Sequence, residues 1–96
     1  MTVAALMLVL IARVPAEGVA AFHTYEDAVL PVLRDYGGSL DRRLRNADGT
    51  VEVHIVRFAS RADFERFRTD PRRETAAPML QRSGAVVELM ELHDVD

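Results

Sequence analysis

Val3-Ala4-Ala5-Leu6-Met7-Leu8-Val9-Leu10-Ile11-Ala12-Arg13 is the stretch on which the fold turns. Successive side chains of a strand point to opposite faces, so Val3, Ala5, Met7, Val9 and Ile11 share one side and Leu6, Leu8 and Leu10 the other. A strand apolar at both parities is covered on both sides. A secretory leader is the competing reading, and its flanks are wrong. No basic residue precedes the run, the first arginine, Arg13, follows it, and the small-residue cleavage pattern is poor. At about ten residues it is also too short to cross a bilayer as a helix. It reads as a buried strand.

Beyond Arg13 the period changes. Pro15 stands where a helix can begin, and Val19, Phe22, Val29, Leu30 and Leu33 fall on one helical stripe between Ala16 and Tyr36. Pro31 predicts a kink or broken turn in that helix, and Gly37-Gly38 a left-handed stop. Leu40 to Arg45 alternates as an edge strand does, with Leu40 and Leu44 pointing one way and Asp41, Arg43 and Arg45 the other. Asn46-Ala47-Asp48-Gly49 predicts a tight hairpin into a β-branched strand, Val51 to Phe58. Ser60-Arg61-Ala62-Asp63 caps a short helix that buries Phe64 and Phe67. Asp70-Pro71 resembles a second cap, but Pro78 predicts that Arg72 to Arg82 is irregular or only briefly helical. Ser83-Gly84 closes that stretch, and Ala85 to Leu92 is the last strand.

The order is βαββαβ over residues 1–96, one α+β domain. Its compact solution is a four-stranded antiparallel sheet, first and third strands central, with two helices on one face. The other face is left bare although the first strand is apolar there too. An exposed apolar sheet face marks an interface, and a second copy is the simplest cover because a twofold contact needs no other partner. The expectation is a homodimer packed sheet to sheet, the alternative a monomer with an apolar patch. Hydrophobic residues make up 49% of the 96, more than the thin core of so short a chain absorbs.

Composition excludes several functions. There is no cysteine, hence no disulfide, thiolate metal site or cysteine nucleophile, which suits a reducing, cytoplasmic setting. All twelve basic residues are arginine, so a Schiff-base lysine is ruled out. A net charge of −3 argues against nucleic acid as a partner, and no membrane span is expected.

Phe22-x-x-Tyr25, Pro31, Tyr36-Gly37-Gly38, Val56-Arg57-Phe58, Ser60-x-x-Asp63-Phe64 and Asp70-Pro71 together resemble the dimeric α/β-barrel superfamily, most nearly its small bacterial members of unknown function. The resemblance implies a ferredoxin-like fold in which two sheets face each other as a barrel with the helices outside. It includes antibiotic-biosynthesis-type monooxygenases that act on quinol-like substrates without a cofactor, and a pocket, where present, between sheet and helices. This chain has no tryptophan, so it lacks the asparagine–tryptophan–histidine set of the haem degraders, and Arg57 stands where many small members carry a glutamate.

Glu26 is the most informative residue. Its helical neighbours are Phe22, Val29, Leu30 and Leu33, so a carboxylate sits within the apolar stripe. Such a group is paired or shifts its pKa upward, as a catalytic group or as part of a structural ion pair. His54 shares parity with Val56 and Phe58. If that parity faces the helices, Glu26 and His54 form a catalytic pair in which the histidine takes a proton and the carboxylate orients it; otherwise His54 is a satisfied sheet histidine. His23 and Tyr25 flank the stripe as ligand-binding candidates at a pocket mouth. Arg57, on the opposite parity, would face the barrel and need Glu88, Glu91 or an anionic ligand. No metal site is expected, since His54 and His93 fall on non-adjacent strands, and the resemblance implies that no cofactor is needed. Arg66, Arg68, Arg72 and Arg73 read as a solvated helix face. The expected function is small-molecule binding or cofactor-independent, monooxygenase-like chemistry on an aromatic or polyketide-like compound. The alternative is a non-catalytic dimeric ligand-sensing or accessory module.

Overall fold

The computed structural model describes residues 5–96, which leaves Val3 and Ala4 of the two-faced run outside the described residues. Four strands form one antiparallel sheet in the order β2-β3-β1-β4: β1 Leu6–Arg13, β2 Gly38–Arg45, β3 Val51–Phe58 and β4 Val86–Leu92. The first and third strands are central, as expected. Helix α1, Val19–Val29, is preceded by a 3₁₀ turn at Ala16–Gly18 and continues as a 3₁₀ segment, Leu30–Tyr36. Pro31 is the cause: without an N–H it cannot bond the carbonyl of Asp27, and the winding tightens there. Gly37, at φ 68°, ends the segment in the left-handed conformation that its missing Cβ permits.

The second crossover departs from expectation. It holds two helices, α2 Arg61–Arg68 and α3 Pro71–Ser83, where the sequence suggested one helix and an irregular stretch. Ser60 caps α2 by accepting from the Asp63 N–H, and Asp70 caps α3 by accepting from the Arg72 N–H. Pro78 does not break α3. The N–H it lacks would have bonded the carbonyl of Glu74, and both residues lie on the exposed side, where that carbonyl is open to solvent.

Register settles which residues face the helices. Leu6, Leu8, Leu10 and Ala12 of β1 pair with Phe58, Val56, His54 and Glu52 of β3, and this parity carries the buried side chains. Leu6, Leu8, Phe58, Phe64, Phe67, Val29 and Leu33 form the main core, with Ala12, Val14 and Phe22 in a second cluster. The opposite face presents Met7, Val9 and Ile11 beside Val51, Val53 and Ile55, with exposed Leu44, Val86 and Leu92 toward the edges.

The edge strand corrects a second expectation. A bulge between Leu40 and Arg42 shifts the register of β2, so that Leu40 pairs with Val56, Arg43 with His54 and Arg45 with Glu52. Arg43 and Arg45 therefore share the helix-facing side with Leu40, while Leu44 faces the other way. One inserted residue reverses the parity of all that follow it.

Candidate functional site

Beneath α1 lie three titratable groups almost wholly out of water: Glu26 is 4% exposed, His54 2% and Glu52 0%. Glu52 and His54 are two apart on β3, so the period of the strand puts both on the helix-facing side. Glu26 reaches the same place from the apolar stripe of α1.

Glu52 is held from three directions. Arg43 Nε donates to its Oε2 at 2.9 Å, Arg45 Nε to its Oε1 at 2.7 Å, and His54 Nε2 lies 2.5 Å from Oε2. Burial alone would raise its pKa, but the bonds from His54, Arg43 and Arg45 outweigh it and hold the carboxyl down at about 2. An ionised carboxylate only accepts, so the proton of His54 sits on Nε2 and the lone pair on Nδ1. That Nδ1 is 3.8 Å from Glu26 Oε2, nearer than any other carboxylate on its side but too long for a hydrogen bond.

Burial pushes the His54 imidazole below its ordinary value, and the Glu52 bond offsets only part of this. At neutral pH His54 is therefore uncharged and basic. Burial, reinforced by the negative charge of Glu52, pushes Glu26 up to about 7 against the pull of Arg43 and Arg73. A neutral imidazole and a carboxyl poised near neutrality thus stand side by side, and both can exchange a proton with a bound molecule.

There is room for one. A cavity of about 370 Å³ lies between the sheet and α1, α2 and α3, lined by Glu26, His54 and Tyr25 among apolar side chains such as Leu8, Phe58 and Leu80. Its size is within the range of small-molecule sites. Glu26 also borders a more open cleft toward the outer strand, beside Arg43 and Ser39.

The other expected residues fall elsewhere. His23 lies outside the cavity lining, with Nε2 3.9 Å from Glu52 Oε1 on that carboxylate's far side. Arg57 is on the opposite sheet face, as its parity required, and pairs with Asp41 at 3.1 Å. Neither Glu88 nor Glu91 is its partner, because β4 lies beyond β1 while β2 is adjacent; those two acids pair with Arg13 and Arg61. Nor are all four helix arginines a solvated face: Arg68 and Arg73 line the cavity. Sequence reasoning missed Glu52 and its arginines. The Glu52-x-His54 spacing was the available signal, whereas the bulge that delivers Arg43 and Arg45 has none. Among the described residues no group of three or more histidines and acids could hold a metal ion.

No family model matches the chain, and no curated protein matches it. Solved structures do match. Rv0793 from Mycobacterium tuberculosis has a TM-score of 0.78 at 21% identity, covering 97% of each chain. SnoaB, a cofactor-independent oxygenase from Streptomyces nogalater, has a TM-score of 0.70 at 20% identity, covering 96% of this chain and 94% of its own. A candidate antibiotic biosynthesis monooxygenase from Bacteroides thetaiotaomicron reaches 0.79 at 10% identity, over 96% of this chain and 90% of that one. At these identities the likeness is one of fold. The chain has the ferredoxin-like fold of the antibiotic-biosynthesis-monooxygenase type, which its motifs resembled.

Proposed function

We propose that this chain is a cofactor-independent, monooxygenase-like enzyme that binds a small aromatic or polyketide-like quinol between sheet and helices. One observation carries the reading. A buried His54, oriented by ionised Glu52 and unbonded at Nδ1, meets Glu26 at an apolar cavity large enough for such a molecule. Glu26 and His54 are then the catalytic pair, with Glu52, not Glu26, as the orienting carboxylate, and Tyr25 as a ligand contact.

His54 takes a phenolic proton, leaving an electron-rich anion that dioxygen can oxidise. The balance needs no other reductant. One oxygen atom replaces a ring hydrogen as hydroxyl, the other leaves as water with two hydrogens, and the quinol becomes a hydroxyquinone. Oxygen uptake with 1,4-dihydroxynaphthalene, corrected for spontaneous oxidation, should exceed background and fall by roughly 10²-fold or more in His54→Ala. Binding of that compound with no added uptake would mark a non-catalytic sensing or accessory module instead.

The assembly belongs to the same reading. Met7, Val9, Ile11, Val53 and Ile55 form a continuous apolar face that a second copy covers, closing the barrel around Arg57, which meets a ligand only there. Such a dimer should bury more than ~1,000 Å² in total. Sedimentation at micromolar concentration should give twice the mass of one chain, and Val9→Asp should give a monomer or an unfolded chain. A wild-type particle of single-chain mass overturns the dimer. Lack of cysteine suits the cytoplasm, and no described helix is long and apolar enough to cross a membrane.

A further inference from the structure

Arg72 and Arg73 are neighbours in the first turn of α3, and their surroundings differ sharply. Arg72 donates through Nε and Nη2 to the two oxygens of Asp70, each at 3.0 Å, and reaches Asp35 at 2.9 Å. Asp70 and Asp35 thus both neutralise Arg72, while Glu74, the acid of the turn itself, lies on the exposed side. Arg73 is turned inward to the cavity wall, its guanidinium carbon 4.7 Å above the ring of Phe67. Its contacts are weak and neutral: Nη2 donates to Tyr25 Oη at 3.3 Å and Nη1 to the carbonyl of Arg68 at 3.5 Å. Its Nε is buried with no acceptor among the described residues, and no carboxylate there lies within ion-pair distance.

Glu26, on the same cavity lining, attracts Arg73 only beyond ion-pair distance and is itself pushed toward its neutral form. A half-buried guanidinium so weakly countered is costly, the more so at the positive end of a helix, where cations are disfavoured. Nε and Nη2 form one edge of the planar group, the edge that grips a carboxylate with two parallel bonds. Arg73 and Tyr25 both line the cavity, and the Tyr25 hydroxyl, 3.3 Å from Nη2, stands beside that edge as a further donor.

We infer that Arg73 is the anion-binding residue of this cavity and that the ligand is an aromatic carboxylate, its acid group on Arg73 and Tyr25, its ring against Phe67 and its reactive proton toward His54. This rests on the cavity being a ligand site, and it narrows the class of molecule that enters.

Calorimetric titration with 2-naphthoate and its neutral isostere 2-naphthamide tests the inference. Wild type should bind the acid at least about tenfold more tightly than the amide, as a charge-assisted bond implies. Arg73→Met should abolish that preference while leaving the amide affinity within about twofold, and Arg73→Lys should keep part of it. Equal binding of both probes to wild type overturns the inference and leaves the cavity as a ligand site. A preference that survives Arg73→Met overturns the assignment to Arg73. Binding of neither probe overturns both readings. Should Arg73→Met not fold, the wild-type preference and its reduction in Arg73→Lys decide alone.

Discussion

Glu26 and Glu52 are both buried, both face the space between helices and sheet, and both approach His54, yet they are driven in opposite directions. Glu52 gains three donors and is held ionised at about 2; Glu26 gains none and is pushed up to about 7. Desolvation pushes each of them upward. What separates them is the element they stand on. A strand beside an arginine-bearing edge strand receives guanidinium groups at ladder spacing, whereas the middle of an apolar helical stripe offers none. The difference assigns the roles: one carboxylate is a permanent negative anchor for the imidazole, and the other is free to gain and lose a proton.

The largest effect should come from removing the anchor. Glu52→Leu leaves Arg43, Arg45 and His54 facing a buried void in their bonding and should cost about 3–5 kcal/mol by denaturant unfolding, the usual loss when one partner of a buried ion pair is taken away. A cost under ~1 kcal/mol would mean that the arginines find water and that Glu52 is no anchor.

Glu26 should behave in the opposite sense, on a smaller scale. Its pKa rises from 4.5 to about 7 on folding, so the folded state binds more protons in that window and stability falls as pH rises through it, by at most roughly 3 kcal/mol. Glu26→Leu should therefore raise the melting temperature at pH 8 while abolishing ligand binding, and Glu26→Gln should remove the decline between pH 4.5 and 7. His54, lowered on folding, then shows alone as a gain in stability with pH up to about its unfolded value near 6.5. Glu52 adds a separate acid limb: its contribution is complete above 4.5 and is lost as pH falls toward 2. A stability profile of Glu26→Gln that still falls between pH 4.5 and 7 would break the contrast between the two acids.

The smallest effect concerns the hairpin that sets β2 against β3. Gly49 has φ 78°, and a Cβ there would lie 3.0 Å from Val19 Cγ1. Gly49→Val should cost on the order of 1 kcal/mol or more from strain. An unchanged thermal midpoint would show that the turn does not hold the register that brings the arginines to Glu52.

The site was legible in halves. Glu26 stood out because a charge inside a 3.6-residue apolar stripe is a local contradiction, and His54 because it interrupts a β-branched strand. The cationic partners did not stand out. Alternation placed Arg43 and Arg45 opposite Leu40, and only the Asp41 bulge brings all three to one face. Pro78 misled for a related reason: the cost of a helical proline is smaller where the carbonyl it frees faces solvent, and Glu74 is exposed.

Local patterns in the chain were sufficient for the four strands, the first two helices, their order and the apolar second face of β1, because periods of 2 and 3.6 residues and turn residues such as Asp48-Gly49 act over a few positions. Tertiary structure alone decided which carboxylate pairs with His54, which arginine is left without an acid at ion-pair distance, and that a cavity stays open beneath α1. Those properties depend on strand register and on distances between residues far apart in the chain, where a one-residue shift in pairing reverses the face of every side chain beyond it.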